Sequence, residues 1–157
     1  MKNILIVDDE RSILDTFSMF FESLDFNVYS SETYKDAVEI ISTKNLQVII
    51  TDLKLGYDKT GLDILTFSKK HNSTTQVILI TAFASKETAF EATKLGIYDY
   101  IIKPVHLDTL DIIVNRALQK NELLSSIKDT KKESSSFFCK ALLTIISKVS
   151  RCTGFII

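Results

Sequence analysis

Short runs of apolar residues alternate along the chain with longer stretches in which apolar residues recur every three or four positions. This alternation repeats five times and predicts five β-α units, because uninterrupted apolar runs are typical of parallel strands covered on both faces. The predicted strands are Ile4–Val7, Phe26–Tyr29, Val48–Ile50, Val77–Ile80 and Tyr100–Ile102.

Helical periodicity fills the segments that follow the predicted strands. We expect capping boxes to open the first helix at Ser12 with Asp15 and the third at Thr60 with Asp63. Gly96 is predicted to end the fourth helix. The first helix carries a wide apolar stripe made of Ile13, Leu14, Phe17, Phe20, Phe21 and Leu24.

The five β-α units predict an α/β fold. Short connections favour a doubly wound (βα)5 sandwich, and right-handed crossovers leave the flavodoxin-like parallel sheet order 2-1-3-4-5 as the leading candidate. In such sheets the functional crevice lies outside the carboxyl ends of the strands.

The fifth predicted helix begins near Leu107 and continues beyond a compact domain, to about Ile127. The polar segment 128–136 predicts a linker. We therefore expect a domain at 1–120, a helical extension and linker at 121–136, and a short appended apolar helical segment at 137–157.

Charge, apolar run length and cysteine positions argue against several classes of function. Lys plus Arg number 19 and Asp plus Glu 20, a net charge of -1, which argues against direct nucleic-acid binding. The apolar runs are too short for a membrane span or a signal peptide. Cys139 and Cys152 both lie near the end of the chain and cannot staple a core. We expect no membrane partner and a reducing, cytoplasmic setting.

Four of the five predicted strands are followed by residues that could bind a metal ion or take part in a reaction. Taken singly, each has an ordinary explanation as a helix cap or a solvated side chain. A parallel sheet, however, would bring all of them to one crevice. They are Asp8, Asp9 and Glu10 after the first strand, Asp52 after the third, Thr81 after the fourth, and Lys103 with Pro104 after the fifth.

The charges predicted for this crevice indicate a divalent metal ion. Asp8, Asp9 and Asp52 would place three negative charges close together, against one positive charge on Lys103. The candidate ligands are hard oxygens, so Mg²⁺ is expected, with Mn²⁺ as the alternative. A carboxylate nucleophile, a metal, a lysine and a hydroxyl are the parts needed for phosphoryl transfer to an aspartate.

Residues 1 to about 120 resemble the receiver domain of two-component response regulators. The resemblance implies a phosphorylation-switched signalling module that catalyses its own phosphorylation and is not an enzyme in the usual sense. The matching stretches are ILIVDDE (4–10), VIITDLKLG (48–56), VILITAFAS (77–85) and YDYIIKP (98–104).

The resemblance assigns the acceptor and the metal site. It implies that Asp52 accepts a phosphoryl group from a phosphohistidine on a sensor histidine kinase. It also implies that Asp9 binds Mg²⁺ directly and Asp8 mostly through water, together with Asp52 and the backbone carbonyl of Lys54.

The same resemblance assigns a switch. Lys103 would pair with the phosphoryl group, Thr81 would move its hydroxyl onto it, and Tyr100 would turn inward. Pro104 would follow a cis peptide bond. The implied output surface is the fourth helix, fifth strand and fifth helix, and a homodimer is expected through that surface or through the extended fifth helix.

The chain departs from the usual family pattern after Asp52. The proline that often follows the acceptor is missing, and the loop 52–61 is one residue longer than usual. Lys54 and Phe83 stand two residues after Asp52 and Thr81, where the family tunes the lifetime of the phosphoryl group.

The appended segment has three interpretations: a dimerisation helix, a membrane-surface helix, or the opening of another domain. Its sparse basic residues weaken the membrane interpretation. Residues 140–157 resemble the start of the ATPase domain of sigma-54-dependent, enhancer-binding transcription activators, with a strand expected at 155–157. No G-x-x-x-x-G-K-[ST] motif occurs, so we expect a truncated activator or fragment without ATPase activity or a DNA-binding domain.

Three other functions are alternatives to the receiver interpretation. A haloacid-dehalogenase-like aspartyl phosphatase needs D-x-D-x-[TV] after its first strand, which residues 8–11 do not fit. A flavodoxin-like cofactor binder would need Ser, Thr and Gly donors where this chain has carboxylates. A degenerate or truncated receiver acting only as a protein interaction module is the remaining alternative.

Overall fold

The computed structural model describes residues 2–56 and 59–152, with side chains to residue 132. These residues form seven strands and five helices. They are β1 (Lys2–Val7), α1 (Arg11–Ser23), β2 (Phe26–Ser31), α2 (Tyr34–Thr43), β3 (Val48–Asp52), β4 (Lys54–Leu55), β5 (Lys59–Thr60), α3 (Gly61–His71), β6 (Gln76–Thr81), α4 (Lys86–Lys94), β7 (Asp99–Ile102) and α5 (Leu107–Cys152).

Five strands form one parallel sheet in the order β2-β1-β3-β6-β7. Counted along the chain, this is the order 2-1-3-4-5, so the predicted fold class is confirmed. The sequence did not predict the antiparallel hairpin of β4 and β5, which is only two residues long on each side.

The core lies in two layers, one on each face of the sheet. Side chains of a strand alternate between the faces, so Ile4 and Ile6 pack with α1 and α5 while Leu5 and Val7 pack with α2 and α3. This is why residues Ile4–Val7 of β1 form a continuous apolar run. Edge-to-face contacts of Phe21 with two neighbouring rings close the α1 side, the partners being Phe20 and Phe26.

The helix boundaries predicted at Thr60 and Gly96 are confirmed. The Asp63 carboxylate accepts a hydrogen bond from the Thr60 N–H at 2.9 Å, which completes the capping box of α3. Gly96, with φ +81°, follows the end of α4 in the left-handed conformation that glycine tolerates best.

The predicted capping box at Ser12 is wrong. The N-cap of α1 is Glu10, with no side-chain cap, and Ser12 lies inside the helix. The chain turns earlier than the pattern indicated, because the Asp8 carboxylate accepts a hydrogen bond from the Glu10 N–H at 2.9 Å.

The prediction of a linker at 128–136 differs from the structure, in which α5 continues to Cys152. No Pro or Gly occurs within 107–152, and Lys and Glu are good helix formers, so a polar composition alone does not end the helix. By its contacts the chain divides into two compact units, residues 1–121 and 122–157.

Two predictions on the last residues fall beyond what the structure describes. The strand expected at 155–157 lies outside the described residues, and the apolar face of the appended segment lies outside the described side chains. Within the described part of the chain, no helix is both long enough and apolar enough to cross a membrane.

Candidate functional site

The carboxyl ends of four neighbouring strands bring the predicted site residues together. Asp8 follows β1, Asp52 ends β3 and Thr81 ends β6. Lys103, which follows β7, spans the gap between them: its Nζ lies 3.1 Å from Asp8 Oδ2 and 3.7 Å from Asp52 Oδ1. The sheet order therefore produces the convergence that the sequence predicted.

Asp8 is buried beneath this lysine. Burial raises the pKa of the Asp8 carboxyl, and the hydrogen bonds from the Glu10 N–H and from Lys103 offset only part of that rise. Glu10 contributes a more distant charge, with Oε1 3.8 Å from Lys103 Nζ.

Asp52 is buried and incompletely hydrogen-bonded. Among the described residues, no group donates a hydrogen bond to its Oδ1. Burial raises the pKa of the Asp52 carboxyl, the Lys103 charge opposes the rise, and the Asp8 charge adds to it. A buried oxygen without a hydrogen bond is costly, so this atom would gain from a cation or a phosphoryl group beside it.

Lys103 carries the positive charge of the site. Burial by itself would lower the pKa of its amine, but the hydrogen bond with Asp8 and the charges of Asp8, Asp52 and Glu10 outweigh burial and raise it. The amine is therefore charged at neutral pH.

Three carboxylates could hold a metal ion. One oxygen each from Asp8, Asp9 and Asp52 lies within 4.8 Å of the other two, and Asp9 is exposed at the mouth of the site. Hard oxygen donors, one of them unpartnered, fit Mg²⁺. The Lys54 residue, whose carbonyl is the fourth expected ligand, opens β4 two residues after Asp52.

Thr81 and Tyr100, the two expected switch residues, form hydrogen bonds with residues other than Asp52. The Thr81 hydroxyl, buried at the end of β6, accepts a hydrogen bond from the Phe83 N–H at 3.1 Å. The Tyr100 ring is half-buried, and its hydroxyl lies 3.1 Å from Thr88 Oγ1 of α4. The Lys103–Pro104 peptide bond is cis, as the resemblance implied.

Sequence reasoning missed Gly61, which shapes the wall behind Asp52. The Gly61 N–H donates to the Leu53 carbonyl at 2.9 Å. A methyl group at Gly61 would collide with the Asp52 carbonyl oxygen and lie 3.2 Å from Thr51 Cγ2. A glycine at the first position of a capped helix was the available signal.

Sequence reasoning also missed a contact across the mouth of the site. Lys54 Nζ lies 5.0 Å from the centre of the exposed Phe83 ring, within cation–π range. The sequence singled out both positions but not their contact.

The chain has clear relatives. Residues 4–115 match the family described as response regulator receiver domain. The chain is 34% identical over 128 residues to the regulatory protein AtoC of Escherichia coli K12, which covers 82% of this chain but only 28% of that protein. The chain thus spans about a quarter to a third of such relatives.

Solved structures show the same fold. A CheY-like response regulator receiver domain protein from Methanospirillum hungatei JF-1 superposes with a TM-score of 0.75 at 29% identity, covering 78% of this chain and 97% of that one. The beryllofluoride-activated NtrC4 receiver domain dimer gives a TM-score of 0.72 at 29% identity, with coverages of 77% and 99%.

Proposed function

Because this chain belongs to the response regulator receiver domain family, we propose that it accepts a phosphoryl group on Asp52 from a phosphohistidine of a sensor histidine kinase, in a Mg²⁺-dependent reaction. The observation that carries this proposal is the buried Asp52 carboxylate, whose Oδ1 accepts no hydrogen bond from the described residues and lies 3.7 Å from Lys103 Nζ.

The transfer requires little of the protein beyond placement and charge. An Asp52 oxygen attacks phosphorus, the bond from phosphorus to the imidazole nitrogen breaks, and its electron pair leaves with the imidazole. Lys103 brings a positive charge toward the phosphoryl oxygens. Asp8, Asp9, Asp52 and the Lys54 carbonyl would hold Mg²⁺, or Mn²⁺, which when bound offsets the negative charge of carboxylates and phosphoryl group.

The chain would act as a switch and not as a turnover enzyme. Phosphorylation would draw the Thr81 hydroxyl away from Phe83, and Tyr100 would turn inward into the space released. The surface of α4, β7 and α5 would then change. The Lys54–Phe83 pair at the mouth of the site would influence how long the phosphoryl group survives.

The output proposed for this switch is transcription regulation in a two-component system. The chain matches only the receiver portion of regulatory proteins such as AtoC, and its last residues resemble the start of a sigma-54-dependent ATPase domain. We infer that the switch regulates an activator of this kind. Homodimerisation through α4, β7 and α5, or through the extension of α5, would carry the signal. The solved NtrC4 receiver is a dimer, which supports homodimerisation but does not choose between these two surfaces.

The test is the mass of the intact protein after incubation with acetyl phosphate and Mg²⁺. We expect a gain of one phosphoryl group that chelator abolishes. Asp52→Asn should abolish it too, whereas Asp108→Asn, at an exposed position of α5, should not. Labelling of the Asp52→Asn protein at the wild-type level would show that Asp52 is not the acceptor. If neither acetyl phosphate nor phosphoramidate labels the wild type, the result would favour a module that only binds partners.

A further inference from the structure

We propose that Thr88 is a positioning residue that holds Tyr100 in its present orientation and ties that orientation to the first turn of α4. The consequence for phosphorylation rests on the proposed function, but the contact itself does not. Thr88 Oγ1 lies 3.1 Å from the Tyr100 hydroxyl, and either hydroxyl can be the donor.

The Tyr100 hydroxyl has one polar side chain bonded to it among the described residues, and that side chain is Thr88. The ring itself is only half-buried and packs on the α2–α3 side of the sheet. Apolar packing of a ring is not directional, whereas a hydrogen bond at the ring's end is. Thr88 therefore selects one orientation among those that the packing permits.

Thr88 is in turn fixed by the cap of α4. The Thr88 N–H donates to Ser85 Oγ at 3.1 Å, and the Ser85 N–H donates to Thr88 Oγ1 at 3.3 Å. Thr88 thus serves the helix cap and Tyr100 with the same oxygen. If Tyr100 turns inward, Thr88 loses this partner and keeps its contacts with Ser85, whose Oγ and carbonyl oxygen lie 3.0 and 3.1 Å from Thr88 Oγ1.

The segment 81–88 therefore holds the hydroxyl groups of both expected switch residues, Thr81 and Tyr100, by hydrogen bonds. It holds Thr81 through the Phe83 N–H at 3.1 Å and Tyr100 through Thr88. Each bond favours the orientation seen here, so each opposes the rearrangement that a phosphoryl group would cause. Removing the Thr88 bond should shift the equilibrium toward the inward orientation without any change in the acidic site.

A purely structural role for Thr88 makes a different prediction. If Thr88 only caps α4, its loss lowers stability but leaves the orientation of Tyr100 unchanged. Ser85→Ala is the matched control, because it removes the cap oxygen while Thr88 and Tyr100 keep theirs. Thr88→Val preserves the shape of the side chain without the hydroxyl, and Thr88→Ser preserves the hydroxyl.

The first experiment needs no phosphoryl chemistry. NMR of the full chain carrying ¹³C-labelled tyrosine reports the rotamer populations of Tyr100. We expect Thr88→Val to increase the inward population about two- to tenfold, the factor that one net hydrogen bond is worth. Thr88→Ser and Ser85→Ala should match the wild type. Unchanged populations in Thr88→Val, or an equal change in Ser85→Ala, would overturn the proposal.

The second experiment measures the affinity for beryllofluoride at fixed Mg²⁺. Thr88→Val should bind it tighter by the same two- to tenfold factor, since the competent state is more populated. In a Tyr100→Phe background the substitution should have no further effect, and a persisting effect would contradict a role through Tyr100. If the wild type binds no beryllofluoride, the proposed function fails, while the rotamer measurement still decides the role of Thr88.

Discussion

Among the described residues, Lys103 is the one positive charge that pairs with Asp8 and Asp52 at the sheet edge, and it does not fully offset their burial. The pKa of each carboxyl stays above its unfolded value of 3.8 because burial outweighs the lysine. The folded state therefore binds protons more tightly than the unfolded state at both groups. Without metal, the free energy of unfolding should fall as the pH rises from 3.8 through the raised values.

Lys103→Met should enlarge this pH dependence. Without the lysine charge the pKa of both carboxyls rises further, so the variant loses more stability at pH 7 than at pH 5. We expect a loss of about 1–3 kcal/mol at pH 7, measured by denaturant unfolding in chelator. Lys70→Met, at an exposed site on α3, is the control. Equal losses at both pH values would contradict the account.

Gly61→Ala should disturb the site through the backbone of Asp52. The added methyl group meets the Asp52 carbonyl oxygen, so the strand end or the helix start must move. We expect a loss of about 1–3 kcal/mol and slower phosphoryl incorporation. Gly56→Ala is the comparison: its methyl meets no atom within 4 Å, although φ of +82° strains it. Unfolding curves measure the loss of stability in each variant, and labelling assays measure its phosphorylation rate. Equal phosphorylation rates in Gly61→Ala and Gly56→Ala would contradict an effect through the Asp52 backbone.

Helix α3 and the start of β6 are joined by a lysine that is partly withdrawn from solvent. Lys69 Nζ donates to the Thr75 carbonyl at 2.6 Å, and Asn121 of α5 donates to the neighbouring Thr74 carbonyl at 2.9 Å. Burial, with the nearby charge of Lys120, lowers the pKa of the Lys69 amine to about 8. These bonds secure the edge of the sheet opposite the acidic site.

This lysine should make the free energy of unfolding rise between about pH 8 and the unfolded pKa of 10.5. Within that range the unfolded chain holds the proton that the folded chain has released, so stability increases with pH. We expect a gain of at most about 1–2 kcal/mol, because the amine is partly solvated. Lys69→Met should remove the gain and Lys70→Met should not. A slope that survives in Lys69→Met would assign the gain to another group.

The proposed homodimer has two candidate surfaces, and substitutions can distinguish them. On the α5 extension, Leu123 and Ile127 are 67% and 53% exposed, four residues apart and so on one helical face. Ile112, also on α5 but within the first unit, is 53% exposed and lies on one of the three elements of the proposed α4, β7 and α5 surface.

If the extension carries the dimer, Leu123→Glu with Ile127→Glu should weaken association more than tenfold, because two charges per copy would be buried. Ile112→Glu should then have little effect. Sedimentation with and without beryllofluoride gives the answer. The reverse pattern would assign the dimer to the α4, β7 and α5 surface.

The local sequence pattern was sufficient to predict the fold and to predict that the site residues lie close together. Continuous apolar runs can be buried only between two layers of helices, and parallel strands share one carboxyl edge, so Asp8, Asp52, Thr81 and Lys103 had to meet there. Both inferences depend on neighbours along the chain. The cap at Thr60 and the stop at Gly96 are local in the same sense.

The remaining features depend on distances between residues far apart in the sequence. Thr88 and Tyr100 meet because α4 and β7 pack together, Gly61 approaches Asp52 because of how α3 enters the sheet edge, and Lys54 reaches Phe83 across the mouth of the site. No periodicity encodes such contacts. Sequence alone therefore determined the fold and the set of residues expected at the strand ends, whereas the tertiary structure decided which contacts surround those residues, since such contacts depend on packing in three dimensions.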